Sequence, residues 1–284
     1  MRVYIDTNIV GSYLRDFPEK LAQFKAAEHR GYRFYASTDG ISELACNTDF
    51  KSFETQLSTL RTLVSENCIF KQPRDLVRSE LLRLTSQAIV SPLLSPFEIS
   101  EMLPFIVHKY TEKEFRVLQT QQHTDKRDFL AWDKDMSAKV DRLIGKDAMP
   151  GTFDEYWAFS KSSGELRATL DSICKTNGSN LDAETLDRLL ETTSFKAIHV
   201  EALLTRLFPF TRLKKLKAPH KGDSIDIRHA VAGAYCDIFL SRDNGFREFF
   251  SIAGNVWPYK VMSPDDFLNL LSEESNPSLE PRTA

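Results

Sequence analysis

Two short apolar runs, far apart in the sequence, each end in side chains that could bind a cation. They are residues 2–5, followed by Asp6, Thr7 and Asn8, and residues 238–240, followed by Ser241, Arg242 and Asp243. In an open parallel α/β sheet, ligands bind beyond the carboxyl ends of the strands. If both runs are strands of one such sheet, we expect Asp6 and Asp243 to meet in a single acidic, metal-binding site.

Two further acids could complete this site. Glu43 lies on the predicted helix after the second strand, and Asp226 opens the helix before residues 238–240. Hard divalent cations such as Mg²⁺ and Mn²⁺ prefer oxygen ligands, and they can activate a bound water and neutralise charge on a phosphodiester. Singly, an acid could instead cap a helix, as Asp243 could, or suit the charge of a first turn, as Asp226 could. Those explanations do not account for the position of all four acids at predicted strand ends or adjoining helix termini.

Three neighbours of these acids need separate interpretation. His229 shares a helix face with Asp226 through its i+3 spacing. We expect it to pack beside the site rather than bind metal, because hard ions rarely recruit imidazole. Asp223 precedes the same helix and could assist or replace Asp226. Asp237 begins a strand at the end far from the site, so we expect a structural role.

The elements that must position these acids show two patterns. Short apolar runs predict buried strands at residues 2–5, 33–36, 68–70, 238–240 and 259–262. From about residue 88 to residue 221 the apolar period is helical. Three capping-box signatures occur there, Ser95 with Glu98, Thr111 with Glu114 and Thr152 with Glu155. We therefore predict an α/β fold, with a parallel sheet flanked by helices and interrupted by an all-helical insertion.

This pattern divides the chain into three parts. We predict a discontinuous core over residues 1–86 and 222–272, a helical insertion over residues 87–221 and a disordered tail over residues 273–284. The insertion has its own apolar stripe, formed by Phe129, Trp132, Met136, Val140 and Leu143. Because both ends of the insertion emerge beside the predicted site, we expect it to limit substrate access. A dimerisation surface is the alternative.

Composition excludes several classes of protein. The net charge of −3 argues against coating nucleic acid by bulk charge, so any such contact needs a local patch. No apolar run is long enough for a transmembrane helix, and the first strand leaves no space for a targeting segment. We therefore expect a cytoplasmic protein without membrane contact. The wide spacing of the four cysteines favours reduced thiols over a zinc site or a disulfide framework.

A basic stretch precedes the helix that carries Asp226. Between residues 205 and 222 there are six basic residues and no acid. Charged runs are usually solvated loops. The functional alternative is a phosphate-binding strip, in which Phe208 and Phe210 could stack on bases. The residues assigned to RNA binding are Arg212, Lys214, Lys215, Lys217 and Lys221.

At its acidic residues the sequence resembles the PIN-domain ribonuclease family. The matching pieces are Asp6-Thr7-Asn8 after an apolar run, Glu43 before a leucine, Asp226-x-x-His229-Ala230, and Ser241-Arg242-Asp243 followed by Phe246. Each piece alone is weak, but their order and spacing make the combination specific. The resemblance covers roughly residues 1–86 and 222–272, and the small family members have no helical block like residues 88–221.

The resemblance implies a metal-dependent endoribonuclease that hydrolyses RNA phosphodiester bonds and leaves a 5′-phosphate and a 3′-hydroxyl. Its catalytic and metal-binding acids would be Asp6, Glu43, Asp226 and Asp243, with Mg²⁺ or Mn²⁺ as the ion. Thr7, Asn8 and Ser241 would orient these acids or the attacking water. We expect His229 and Asp223 to support them without binding the ion.

Two other functions stay open. A degenerate PIN-like domain could bind nucleic acid or protein without catalysis, although a binding module does not need four mutually repelling acids. A phosphatase of the haloacid dehalogenase type also begins with a strand that ends in Asp. That chemistry needs a second Asp two residues later, where this chain has Asn8. An inhibitory protein partner and a homodimer also stay open.

Overall fold

The fold is built around a parallel β-sheet. The computed structural model describes residues 1–44, 49–86, 88–102, 111–117, 149–216 and 223–275, with short pieces at 119–120, 131, 134–135, 138–139 and 142. Across these residues the sheet has five parallel strands in the order β3-β2-β1-β4-β5. They are β1 (Arg2–Ile5), β2 (Arg33–Ser37), β3 (Ile69–Phe70), β4 (Ile238–Leu240) and β5 (Lys260–Met262). The predicted α/β fold with a helix-flanked parallel sheet is confirmed.

β1 occupies the centre of the sheet. Val3 lies opposite Phe34 of β2 on one side and Ile238 of β4 on the other. The last three residues of β1 are all buried, as expected for a strand covered on both faces. Because the strands are parallel, the carboxyl ends of β1, β2 and β4 meet at one edge, and Asp6 follows β1 there.

Helices flank the sheet and contain most of the described residues. They are a π-helix (Ile9–Leu14), α1 (Pro18–Glu28), α2 (Thr38–Leu44), α3 (Phe50–Leu63), α4 (Pro73–Ser86), α5 (Pro96–Met102), α6 (Phe153–Ser162), α7 (Glu165–Thr176), α8 (Ala183–Glu191), α9 (Lys196–Leu213), α10 (Asp223–Gly233), α11 (Asn244–Ser251) and α12 (Pro264–Ser275). All three predicted capping boxes form with reciprocal hydrogen bonds. Within the described residues, no helix combines the length and the apolar content needed to cross a membrane.

The described helices of the insertion share one hydrophobic core with the sheet. Twelve of the 18 residues of α9 are buried. Their apolar side chains belong to the same contiguous cluster as those of the strands. At the start of α9, Glu80 of α4 accepts hydrogen bonds from the N–H groups of Ala197 (3.1 Å) and Ile198 (3.0 Å). The described helices of the insertion are therefore held on the core by apolar packing and by the hydrogen bonds of Glu80 at the start of α9.

Two stretches differ from the sequence prediction. Leu93 forms an antiparallel bridge with Phe70 of β3, so the insertion is not entirely helical. α12 continues to Ser275, where Tyr32 Oη bonds Glu274 Oε1 (2.7 Å) and holds its last turn. Residues 273–275 are thus helical rather than part of a tail. Residues 276–284 lie outside the described residues, as does the stripe predicted from Phe129 to Leu143.

Candidate metal centre

Asp6 lies at the carboxyl end of β1, almost hidden from solvent. Its N–H continues the ladder to β4 by donating to Leu240 O (3.0 Å). Its Oδ2 accepts hydrogen bonds from Asn8 Nδ2 and Ser241 Oγ, both at 2.6 Å, and its Oδ1 accepts one from Thr7 Oγ1 (3.2 Å). The three side chains predicted to orient the acids therefore all contact Asp6.

Glu43 and His229 form a compact group with Asp6. Glu43 projects from α2, and its Oε2 competes with Asp6 Oδ1 for the one hydroxyl proton of Thr7. His229 Nε2, on α10, lies 2.9 Å from Glu43 Oε2 and 3.9 Å from Asp6 Oδ1. One ligand atom from each residue of this group lies within 4.8 Å of the other two. His229, expected beside the site, thus has its ring inside the group, because α10 packs directly against α2.

A buried polar chain, absent from the sequence prediction, lies behind His229. Its Nδ1 is 2.6 Å from Tyr4 Oη, which is 2.7 Å from Ser37 Oγ. A Cβ at Gly40 would lie only 3.0 Å from His229 Cε1, so glycine permits this close approach. The signal in the sequence is a tyrosine within an aliphatic strand, because a buried hydroxyl needs a partner.

Burial and mutual interaction shift the pKa values in this group. Burial raises the pKa of Asp6, and the neighbouring Glu43 carboxylate raises it further, whereas His229 lowers it. For His229, burial alone would lower the pKa. The hydrogen bond to Glu43 and the negative charges of Asp6, Glu43 and Asp226 outweigh burial and raise the pKa of His229 to about 9. The imidazole is therefore a cation among acids at neutral pH when no metal is bound.

Asp226 and Asp223 have different surroundings on α10. Asp226 is half-buried, one turn before His229, and its negative charge acts on that imidazole. Asp223 is fully buried and forms an ion pair with Arg212 Nη2 at 2.7 Å. Although both aspartates are described, neither belongs to the group of Asp6, Glu43 and His229. Asp223 was expected to support the site, but its carboxylate instead holds a buried arginine.

Asp243 is exposed and acts as the N-cap of α11. Its Oδ1 accepts a hydrogen bond from Phe246 N (3.0 Å). Its N–H donates to Ser241 Oγ (3.1 Å), which in turn donates to Asp6. The capping role considered from the sequence is therefore the one observed. Asp243, itself a described residue, lies outside the compact group of ligand atoms and contacts it through its backbone.

The structure at the end of α9 contradicts part of the predicted RNA-binding strip. Arg212 is paired with Asp223, and its side chain is only 6% exposed. Phe208 and Phe210 are fully buried, so they cannot stack on bases. The basic stretch begins inside a buried helix rather than in a solvated loop. Its two arginines, Arg206 and Arg212, are paired with Glu165 and Asp223.

The lysines of the same stretch are only partly described. Lys214 Nζ donates to Met149 O (2.8 Å) and is half-buried. Lys215 is exposed. Lys217 and Lys221 lie outside the described residues. Within the part of this stretch that the structure describes, Lys215 is thus the assigned RNA-binding residue whose side chain faces solvent.

The donor set of the compact group fits a divalent cation. Asp6 and Glu43 provide carboxylate oxygens, and His229 Nε2 provides an imidazole nitrogen. Burial raises the pKa of Asp6 more than the neighbouring His229 lowers it, and a bound cation would further stabilise the charged carboxylate. Thr7 Oγ1 lies between the two carboxylates and contacts both. We call these residues the metal centre.

Comparison with known proteins adds no assignment to this centre. No family model matches the chain, and no curated protein or solved structure gives a significant match.

Proposed function

We propose that this chain is a divalent-metal-dependent endoribonuclease. The observation that carries the proposal is the convergence of Asp6 and Glu43 beside His229, with their ligand atoms within 4.8 Å, at the carboxyl end of the central parallel strand. This is the place where ligands bind in open parallel sheets. The resemblance of the sequence to PIN-domain ribonucleases supplies the reaction: phosphodiester hydrolysis that leaves a 5′-phosphate.

Some residues at the metal centre would bind the ion, and others orient the residues that bind it. Asp6 and Glu43 would bind the ion, which when bound supplies an activated water and neutralises charge on the phosphodiester. Asn8 and Ser241 each donate a hydrogen bond of 2.6 Å to Asp6 Oδ2 and so fix that oxygen. The other oxygen, Oδ1, lies on the side of Glu43. Asp226, half-buried one turn from His229, is the nearest further acid on α10 that could hold a water.

Cations beside the metal centre support an anionic substrate. Arg242 is exposed, and its N–H donates to Asn8 Oδ1 (3.0 Å) while its Nη1 donates to Ser12 Oγ (2.7 Å). Arg247 Nη1 donates to Ser241 O (2.7 Å). Guanidinium groups are well suited to phosphate oxygens. They take the place of the basic stretch of residues 205–222 as the proposed phosphate contacts.

The decisive experiment measures cleavage of end-labelled single-stranded RNA with Mg²⁺, with Mn²⁺ and with excess EDTA. We expect cleavage only with metal, 5′-phosphate ends, and a rate at least about 100-fold lower for Asp6→Asn. Asp237→Asn is the matched control, because Asp237 lies at the opposite end of the sheet, where its Oδ2 accepts Arg2 N–H (2.8 Å). Undiminished cleavage in EDTA, or by Asp6→Asn, would overturn the proposal.

A second candidate is a binding module without catalysis. It is favoured by the use of the Glu43 carboxylate in a hydrogen bond to His229 and by the use of Asp243 as a helix cap. RNA that is bound equally well with and without metal, and never cut, would support this candidate.

We also propose that the chain functions in a reducing compartment such as the cytoplasm. Cys68, Cys174 and Cys236, the cysteines of the described residues, are buried free thiols. An inhibitory protein partner and a homodimer stay open under either function.

A further inference from the structure

We propose that His229 Nε2 is itself a metal ligand, so that the metal centre selects divalent transition-metal ions over Mg²⁺. The inference rests on the metal centre of the proposed function and names the ion it takes. Magnesium ions prefer oxygen ligands, whereas an imidazole nitrogen raises affinity for ions along the transition series. A carboxylate–imidazole centre would therefore differ in cofactor from a centre of four acids.

The imidazole nitrogen Nε2 of His229 lies beside the carboxylate oxygens of the metal centre. His229 is buried on α10 with its side chain 2% exposed, and Nε2 is the ring atom that faces the carboxylates. It lies 2.9 Å from Glu43 Oε2 and 3.9 Å from Asp6 Oδ1. A nitrogen and two carboxylate oxygens thus come from three separate elements to surround one small volume.

The other ring nitrogen of His229, Nδ1, has a partner outside the metal centre. Nδ1 of His229 is 2.6 Å from Tyr4 Oη, and this hydroxyl lies 2.7 Å from Ser37 Oγ. Neither hydroxyl belongs to the metal centre. Metal-binding histidines usually donate their second ring N–H to such an outer acceptor, which fixes the tautomer and the ring orientation. A histidine that only fills space needs no such arrangement.

The ring of His229 is closely packed on its remaining sides. His229 contacts the ring of Tyr4 edge-on, with the centroids 5.7 Å apart. On the opposite element, Gly40 leaves just enough space for the imidazole, because a Cβ there would come within 3.0 Å of Cε1. The packing holds the plane of the ring, and the contacts of Nδ1 with Tyr4 Oη and of Nε2 with Glu43 Oε2 select the orientation that points Nε2 at the acids.

The test is electron spin-echo spectroscopy on the full chain loaded with Mn²⁺. A coordinated imidazole couples its nitrogen to the manganese spin, and labelling histidine with ¹⁵N changes the modulation. We expect the nitrogen coupling in the unmodified protein, and its loss in His229→Gln together with a 10- to 100-fold fall in Mn²⁺ affinity. Mg²⁺ affinity should change less than threefold, and excess Mg²⁺ should displace Mn²⁺ poorly.

Tyr4→Phe provides a second variant, which leaves the ligand atoms in place. We expect Mn²⁺ affinity to fall about tenfold, since the ring loses its outer partner. Tyr259→Phe is the matched control, because Tyr259 Oη is also buried and also bonds α10, but through the backbone carbonyl of Ala230 (2.8 Å) rather than through the ring of His229. It should leave Mn²⁺ affinity unchanged.

The outcomes separate this inference from the proposed function. Mn²⁺ that binds at Asp6 and Glu43 without nitrogen coupling would overturn ligation by His229 and leave the nuclease proposal intact. The absence of any Mn²⁺ or Mg²⁺ binding would overturn both. Equal affinities for Mn²⁺ and Mg²⁺ would overturn the selectivity even if the coupling is present.

Discussion

At the scale of single residues, one hydroxyl lies between two carboxylates. Thr7 Oγ1 is within hydrogen-bond distance of both Asp6 Oδ1 and Glu43 Oε2, so the two carboxylates share its single proton. Two carboxylates this close repel each other, and the repulsion is one cause of the raised pKa of Asp6. Thr7 therefore stabilises an arrangement that the acids alone would avoid.

Thr7→Val should weaken metal binding without removing a ligand. Valine has the shape of threonine and no hydroxyl, so the two carboxylates lose the donor that they share and can move apart. We expect Mn²⁺ affinity, measured by isothermal titration calorimetry, to fall about tenfold, which corresponds to roughly 1.4 kcal/mol. Thr7→Ser keeps the hydroxyl and should stay within twofold of the unmodified protein. Equal losses in both variants would show that the methyl group matters and the hydrogen bonds do not.

A second residue gives a pH-dependent stability far from the metal centre. Burial raises the pKa of Glu201, on α9, from 4.5 to about 7. The folded state therefore binds this proton more tightly than the unfolded state. Stability contributed by the protonated form is present below pH 4.5 and is lost as the pH rises through about 7.

Glu201→Gln should remove that loss. In urea unfolding, we expect the variant to be more stable than the unmodified protein at pH 8, by on the order of 2 kcal/mol, and similar to it at pH 4.5. Glu184→Gln is the control, because Glu184 is exposed on α8. A variant whose stability follows the same pH curve as the unmodified protein would contradict the assignment.

At the scale of elements, one buried carboxylate joins the insertion to the sheet. Glu80 of α4 accepts hydrogen bonds from Ala197 N and Ile198 N at the start of α9, and from Tyr235 Oη (2.6 Å) after α10. Three elements thus meet at one side chain. Glu80→Ala should cost about 2–4 kcal/mol in urea unfolding, because buried donors lose their acceptor.

Glu54→Ala offers a control for this experiment, since Glu54 is an exposed glutamate in the middle of α3. It should change the free energy of unfolding by less than about 0.5 kcal/mol. A small effect for Glu80→Ala as well would mean that α9 is held by its apolar packing alone.

The buried pair of Arg212 and Asp223 joins the end of α9 to the start of α10. Their side chains are 6% and 1% exposed. Removing one partner leaves an uncompensated buried charge, so Arg212→Ala should destabilise the fold by about 3–5 kcal/mol. Lys215→Ala, at an exposed neighbour, should cost less than about 0.5 kcal/mol. Differential scanning calorimetry of both variants would check this, and equal melting temperatures would contradict it.

The basic stretch shows where element prediction from sequence fails. Six basic residues without an acid between residues 205 and 222 were compatible with a solvated loop or a phosphate-binding strip, and both interpretations place Arg212 at the surface. The partner of Arg212 is Asp223, the residue immediately after that stretch, and the pair forms because α9 folds back against α10. A count of charges does not include such a tertiary contact. The capping boxes were predictable because their bonds join residues three apart.

At the scale of the whole molecule, the sequence predicted that Asp6 and Glu43 meet. It also placed Asp226 and Asp243 with them, whereas the compact group contains His229 instead. Asp6 and Glu43 could be placed together because the ends of parallel strands share one edge. The depth to which His229 enters depends on how closely α10 approaches α2, and Gly40 sets that distance. No pattern of apolar residues encodes this approach, because it depends on the absence of one Cβ.

The insertion shows the same difference between local and global information. Its helical period was readable from the sequence, whereas its shared core with the sheet was not. α9 is buried on most of its surface because α4, α7 and α10 all pack against it. An apolar helix looks alike in sequence whether it closes a separate bundle or joins an existing core.

The order of the sheet also sets when the metal centre can exist during synthesis. β1 is made before the other four described strands, yet it pairs with β4, and Asp6 bonds a serine 235 residues further along the chain. Ribosomes add about 5–20 residues per second, so this bond forms on the order of 10–50 s after Asp6 is made. Throughout that interval one side of the central strand lacks its partner β4, and until His229 is made the metal centre lacks its imidazole. Under the proposed function, a nascent chain built this way could not cut the messenger that encodes it until Ser241 has left the ribosome.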